Sequence, residues 1–361
     1  MSRAIDKISI RGFKSIETLD DFPLSNLNIL IGANGAGKSN FVDFFRMLRA
    51  IAEGAFQQFV NEHGGGDGFL FLGPKKTGEI SARLDFGGNW YRFSLKPTAD
   101  GSLQLTGEQV GHGSVSAILS AGTRESALSK SKDFKGHWHK TVYESVSNWT
   151  VYHFHDTSAL APMRRDQSAR DWERLRPDAS NIAAFLLQLK TDETGSYELI
   201  RDTIRLIAPF FDDFLLRPQT KGNDQFVRLE WQQKGSDFPF QPTQLSDGTI
   251  RFICLATALT QPNPPATILI DEPELGLHPY AISMLADLIK SASARTQVIV
   301  STQSATLLDY FEPSDIVVVS RVKGRSNFER LDSNLLSTWL EDYSVGELWQ
   351  KNVVQGGPTS E

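Results

Sequence analysis

Four short runs of residues carry types and spacings that can do chemistry. The first is Gly-Ala-Asn-Gly-Ala-Gly-Lys-Ser at 32–39, where Gly32, Gly37, Lys38 and Ser39 fit the phosphate-binding pattern G-x-x-x-x-G-K-[ST]. Glycines there admit backbone conformations closed to residues with a Cβ, so successive N–H groups can turn inward as an anion nest. A helix opening directly after the loop points its positive end at the same anion. Lys38 would supply a point charge to the β- and γ-phosphates of a nucleoside triphosphate, and the Ser39 hydroxyl a ligand to Mg²⁺. The second run is Asp271-Glu272, two acids closing the apolar stretch Ile268–Ile270. Carboxylates at the end of a buried strand are costly unless they have a task. Asp271 fits a carboxylate associated with the same Mg²⁺, and Glu272 a general base that orients an attacking water. A pair of surface acids after an edge strand is the plainer alternative. The third run is Leu245-Ser246-Asp247-Gly248-Thr249, just before an expected helix. Ser246 can cap that helix and Gly248 allows close backbone approach, a pattern that capping alone also explains. The fourth is Val300-Ser301-Thr302-Gln303-Ser304, polar residues at the carboxyl end of a strand, where open α/β sheets place ligands. Gln303 would bond the γ-phosphate or its attacking water; alternatively Ser301 and Ser304 simply cap the helix that follows.

Regular elements must hold these runs in place. Leu27, Ile29, Leu30 and Ile31 predict a strand into the first run, and Phe41, Phe44, Phe45, Leu48 and Ile51 a core-facing helix from Lys38 to about Glu53. Upstream, residues 5–10 read as a strand, 11–15 as a turn, and one further strand as the lead into the loop. Residues 61–68 read as a flexible loop. The segments 79–86, 89–97 and 102–110 alternate with period two, and with turns at Gly87-Gly88 and Asp100-Gly101 they predict an antiparallel meander. Residues 111–140 read as a variable loop with some helix, and 147–154 as a strand that ends in His155-Asp156-Thr157-Ser158. A charged, helical character is expected over 163–190, with Ser180 or Asp178 capping the helix that starts at Asn181. Beyond a helix at about 196–207 and strands at 214–218 and 226–233, helix and strand alternate from Ile250 to Asp332, including a helix over 305–311 and a last short strand at 328–332. Short helices and a polar tail close the chain.

The 361 residues suffice for one large domain or two smaller ones. The single cysteine, Cys254, excludes an intrachain disulfide and sits in an apolar run as a small core residue, which suits a reducing cytoplasm. The N-terminus shows no apolar stretch of signal-peptide length and no window reaches a membrane span of ~18 apolar residues. A net charge of −6 gives no global attraction to nucleic acid.

Taken together, GANGAGKS, LSDGT, ILIDEPELGLHP and STQSATLLD resemble the ATP-binding-cassette class of ATPases, in the RecF/SMC/OLD-like branch and its stand-alone AAA_21 type. The opening IRGFKSIETL is similar to that branch as well. The resemblance implies an α/β P-loop NTPase with an ABC/SMC-head-like two-lobe fold, an antiparallel β subdomain and a helical subdomain. Within a single head over 1–361 it implies lobe I with Walker A and the meander at 1–160, a helical subdomain with connecting strands at 161–245, the signature helix, Walker B and switch loop at 246–340, and a C-terminal tail at 341–361. By the same resemblance Gly32, Asn34, Gly35, Ala36, Gly37, Lys38, Ser39 and Asn40 bind ATP. Ser39 and Asp271 hold Mg²⁺, and Glu272 and Gln303 are catalytic. Two heads would pair head to tail, with Ser246, Asp247 and Gly248 completing the partner's nucleotide site in trans. Two departures stand out. Gln303 occupies the place of the usual switch histidine, and glutamine hydrogen-bonds without carrying a proton charge, which implies slow turnover. His155 or Asp156 stands where a glutamine loop is usual. No long coiled coil separates loop from signature and no acidic nuclease domain follows.

Three roles fit an ATPase of this kind. It acts on double-stranded DNA in repair or in defence against phage, with Arg164, Arg165, Arg170, Arg174 and Arg176 as the contact surface; the interleaved Asp166, Asp171 and Glu173 equally fit a solvated, salt-bridged helix. It gates a separately encoded effector protein without touching DNA. Or it serves a transporter, a role disfavoured by the absence of a membrane-coupling segment. Residues 60–145 depart most from a minimal head.

Overall fold

The computed structural model describes residues 3–133, 137–336 and 338–354, and the chain divides into two compact units. One comprises Met1–Val151, Pro265–Leu269 and Thr296–Glu361; the other comprises Tyr152–Pro264 and Ile270–Arg295. Neither is a single continuous stretch.

The first unit is built on two six-stranded sheets. One runs in the order Arg325–Arg330, Ile316–Val322, Leu27–Ile31, Gln297–Thr302, Thr267–Asp271, Trp149–Tyr152, and its far ends, Ile270-Asp271 and Tyr152, are counted with the second unit. Leu27–Ile31 is parallel to both neighbours and buried throughout. Cover on both faces suits a strand that is apolar except at the buried Asn28. The other sheet is antiparallel, in the order Ile16–Pro23, Lys7–Phe13, Ile80–Phe86, Asn89–Pro97, Leu103–His112, Val115–Ser120. Residues 80–86 alternate strictly between buried and half-buried, as one packed face demands. The helix Lys38–Glu53 joins the two sheets through its aromatic stripe: Phe44 packs on Phe13 and Phe93, Phe45 on Trp149, and Phe41 on Phe328. Fully buried aromatic pairs of this kind stabilise beyond their area by about 0.5–1.5 kcal/mol each. Where the meander ends, the buried Glu108 carboxyl accepts from the Tyr91 hydroxyl (2.8 Å), the Ser120 hydroxyl (2.6 Å), the Ala127 amide (2.9 Å) and the Ser126 hydroxyl. Burial first, then the Glu108 charge, pushes the Tyr91 hydroxyl well up.

The second unit carries the helices Ile182–Asp192, Thr194–Ile207, Asp247–Thr260 and Pro279–Ser293. Two three-stranded sheets accompany them, one of Phe211–Leu215, Glu230–Gln233 and Pro239–Phe240, the other of Gln219–Lys221, Asp224–Val227 and Gln167–Ser168.

Several expectations are corrected. The charged helix expected from residue 163 is absent: a 3-10 turn at Pro162–Arg164 and the strand Gln167–Ser168 precede an irregular loop, and helix begins only at Ile182. Asn181, 1% exposed, holds that loop by donating to Asp171 O and Arg174 O and accepting from the Arg176 amide. Such side-chain bonds offer the backbone an alternative to helix. Neither Ser180 nor Asp178 caps the helix; Gln167 Oε1 accepts its Ala183 amide at 2.7 Å. Residues 56–62 are helical and 66–69 form a 3-10 turn where a loop over 61–68 was expected. Residues 111–140 contribute the strand Val115–Ser120 and the start of the helix His137–Ser147. Two strands, not one, lead into the phosphate loop. The strand expected at 226–233 is split between Asp224–Val227 and Glu230–Gln233, and the helix after Ser304 ends at Leu308. In the tail Val345–Gln350 is helical; residues 355–361 lie outside the described residues. Among the described residues no helix is long and apolar enough to cross a membrane.

Candidate functional site

In the first unit the buried strand Leu27–Ile31 delivers the chain into the loop, and the helix Lys38–Glu53 takes it away with no side-chain cap at its N-terminus. Gly37 has φ 117° and Gly35 φ 78°, a region that strains residues with a side chain. Space forbids a side chain too. A Cβ on Gly32 would lie 2.1 Å from Val319 O, and one on Gly37 1.9 Å from Ser326 Oγ. The loop is braced from outside: Ser326 Oγ lies 2.6 Å from both Ala36 O and Ser15 Oγ, and Asn40 Nδ2 donates to Ser15 Oγ at 2.6 Å. Arg321 donates to Gly35 O at 3.1 Å. Lys38, only 5% exposed, folds back so that Nζ donates to Gly32 O (2.6 Å) and Ala33 O (3.3 Å). A cation is thus lodged inside the cradle of backbone, while Asn34, Gly35 and Ser39 stand exposed at its mouth.

The strand Gln297–Thr302 runs parallel beside this one, with Thr302 opposite Ile31, so Gln303 leaves the sheet at the level where the phosphate loop begins. Gln303 is half-buried. Ser304 caps the short helix Ala305–Leu308, accepting from the Leu307 amide at 3.1 Å. Ser301 does not: it is buried within the strand. The helix Val345–Gln350 is tied to the same region, its Gly346 amide donating to Asp309 Oδ1 at 2.8 Å.

The second unit holds the other candidates. Asp271 ends its strand half-buried, and Glu272 follows with φ 45°, a left-handed conformation for a residue with a long side chain. Strain of this kind costs on the order of 1–3 kcal/mol and gathers at functional positions. His155 Nε2 donates to Asp271 O at 2.9 Å, since a carbonyl can only accept. Ser246 caps the helix Asp247–Thr260 through the Thr249 amide at 3.1 Å. Gly248 lies against the 274–279 segment: a Cβ on it would sit 2.5 Å from Gly276 O.

Two buried arginines lace these segments together, and neither role was foreseen. Arg251 donates to Phe154 O (3.0 Å), His155 O (3.2 Å) and Leu275 O, and burial pulls its pKa below the usual value. Its sequence signal was a lone charge within the apolar run Ile250–Leu259. Arg164, 6% exposed, donates to Thr157 O (3.0 Å), Leu245 O (3.1 Å), Pro242 O and Asp247 Oδ1 (2.9 Å). It is therefore removed from the expected surface of five arginines, being consumed in holding the 245–247 turn. Of the others, Arg176 pairs with Asp171 at 2.6 Å, while Arg165, Arg170 and Arg174 are exposed. Asp166 accepts from Lys221 (2.6 Å) and Arg228 (2.7 Å), which hold its carboxyl below the usual range. Cys254 is fully buried with Sγ 3.8 Å from Met163 Sδ, and burial pushes its thiol up.

Comparison with known proteins follows the same outline. The family model described as "AAA domain, putative AbiEii toxin, Type IV TA system" matches residues 27–309. None of the curated proteins matches the chain. Among solved structures, the Smc head bound to the C-winged helix domain of ScpA is 16% identical with a TM-score of 0.60, over 93% of this chain and 99% of that one. The Smc head domain with an extended coiled coil, bound to the C-terminal domain of ScpA and derived from Pyrococcus furiosus, is 15% identical with a TM-score of 0.56, over 94% and 99%. At that identity the likeness speaks for fold alone, a mixed α/β, SMC/ABC-head-like two-lobe architecture. Since the family model takes in most of the chain, from the strand before the phosphate loop to the helix after Gln303, this protein belongs to the AAA_21 family of ATPase domains.

Proposed function

We propose that the protein is an ATP-binding and ATP-hydrolysing head that pairs with a second copy of itself around Mg-ATP. The observation that carries this reading is the phosphate loop, with left-handed Gly35 and Gly37 and the buried Lys38 ammonium on Gly32 O. A cation that already donates to loop carbonyls gains a full opposite charge as partner when phosphate oxygens enter. The loop from Gly32 through Asn40 binds the phosphates, with its N–H groups and the helix N-terminus adding positive potential. Ser39 and Asp271, a hydroxyl and a carboxylate, are the hard oxygen donors that Mg²⁺ takes, and they would hold it. When bound, Mg²⁺ offsets charge on the phosphate oxygens. Glu272 orients a water and takes its proton as oxygen attacks the γ-phosphorus; the bond to the β-γ bridging oxygen breaks and ADP departs. Gln303 hydrogen-bonds the γ-phosphate or that water but cannot carry charge, so turnover is slow. Ser246, Asp247 and Gly248 of a second copy complete the site, which makes ATP the ligand that closes the dimer and hydrolysis the step that opens it.

The test is sizing in solution. Glu272→Gln removes the base and keeps the binding groups, so with ATP and Mg²⁺ it is expected to accumulate as a dimer, while Lys38→Ala stays monomeric and binds no nucleotide. A Glu272→Gln monomer at saturating Mg-ATP defeats the paired-head reading. For the task served, the exposed Arg165, Arg170 and Arg174 support duplex DNA as the partner, in genome maintenance or defence. Gln303 supports the second reading, a slow switch that gates a separate effector protein. Salt-dependent binding of duplex DNA by the trapped dimer separates the two.

A further inference from the structure

The side of the phosphate loop away from Gln303 is walled by the hairpin of Ile316–Val322 and Arg325–Arg330. Val318 pairs with Ile31, the last residue of the central strand, so Val319–Val322 run on beside the loop itself. Val319 O fills the space a Cβ on Gly32 would need, and Ser326 Oγ the space at Gly37. Between these contacts the Arg321 side chain reaches the loop, donating to Gly35 O at 3.1 Å. Arg321 is exposed and forms no salt bridge among the described residues, whereas Arg325 on the returning strand pairs with Glu17 at 2.7 Å. A guanidinium resting on a neutral carbonyl, at the rim of a nest shaped for anions, has a weaker partner than the site can offer it. Both bonds are charge-assisted, but a phosphate oxygen also carries a full opposite charge, adding a coulombic attraction that a carbonyl lacks. Its planar fork suits phosphate oxygens better than a carbonyl does.

We propose that Arg321 is a second cationic contact to the phosphate chain of the bound nucleotide. It leaves Gly35 O when a triphosphate enters and brings the hairpin in as one wall of the site. The inference rests on the nucleotide-binding reading, and it adds a residue outside the phosphate-loop, signature, Walker B and switch runs. Lys38 is the buried, fixed charge and Arg321 the mobile one at the mouth.

Two substitutions separate this role from a purely structural brace. Arg321→Lys keeps the charge, and Arg321→Gln keeps an N–H donor for Gly35 O while losing the charge. Affinities for ATP and for ADP are measured by calorimetry at two salt concentrations, with the melting temperature of each nucleotide-free variant as the folding control. The expected result is a loss of about tenfold in ATP affinity for Arg321→Gln. That loss is larger for ATP than for ADP, comes with a shallower salt dependence, and leaves the melting temperature unchanged; Arg321→Lys stays within about threefold of the parent. Arg321→Gln binding ATP like the parent, or losing ATP and ADP equally with unchanged salt dependence, overturns the proposal. A parent protein that binds no ATP defeats the nucleotide reading itself, and the proposal with it.

Discussion

At the scale of single residues, the candidate site is held together by groups that admit little substitution. Gly37 meets both limits at once, a φ of 117° and a would-be Cβ 1.9 Å from Ser326 Oγ. Gly37→Ala is expected to cost about 1–3 kcal/mol, read as a lowered melting temperature, and to remove ATP binding together with it. Asp166 yields a pH signature. Hydrogen bonds from Lys221 and then Arg228 depress its folded pKa below the unfolded value near ~4, so its contribution is complete above that value and is lost as pH falls through the lower folded one. Asp166→Asn is expected to flatten the acid limb of the stability curve and leave the neutral-pH oligomeric state alone. The phosphate loop was legible because its meaning lies in eight consecutive residues. Arg164 and Arg251 were not, because their acceptors are carbonyls of Leu245, Phe154 and Leu275, far away in sequence and silent in composition.

Among the elements, periodic ones declared themselves and those bound by side chains did not. The helix from Lys38 to about Glu53 was legible from its aromatic stripe and the phosphate-loop motif before it, and the antiparallel meander from its alternation. The 163–180 segment misled because its charges look helical while Asn181 binds its Asp171 and Arg174 carbonyls and the Arg164 side chain is drawn off to Thr157 O and the 242–247 segment. Ser344 and Glu347 form a capping box, and the helix it opens is seated against the one after Gln303. Gly346 permits that seating, since a Cβ there would lie 2.3 Å from Ala305 O, and Leu348 is fully buried. Leu348→Ala is expected to destabilise by about 2–5 kcal/mol or to undock this helix alone. Hydrogen exchange distinguishes the two: fast amides confined to 344–354 mean undocking, and faster exchange throughout the first unit means global loss.

For the whole molecule, fold class followed from the family that the motifs resemble, and each compact unit is assembled from separated stretches of chain that no linker marks. The dimer expected of Glu272→Gln belongs to this scale: in the proposed pairing two copies would contribute Ser246–Gly248 and Gly32–Ser39 to each other, so mixing Glu272→Gln with Lys38→Ala chains should yield fewer dimers than Glu272→Gln alone, a dose effect that sizing detects. The placement of the strand Leu27–Ile31 carries one more consequence. Both of its neighbours, Gln297–Thr302 and Ile316–Val322, come from the last fifth of the chain. While the ribosome works through the intervening residues, at roughly 5–20 per second, the phosphate loop is exposed to the cell's ATP with neither flank of its sheet in place. The nascent chain is therefore expected to bind nucleotide only when synthesis is nearly finished. Closing contacts so distant along the chain also makes folding of this unit slow relative to its helices. Any product truncated before Val322 lacks the hairpin wall and is expected to bind no ATP, which a binding assay on such a truncation checks.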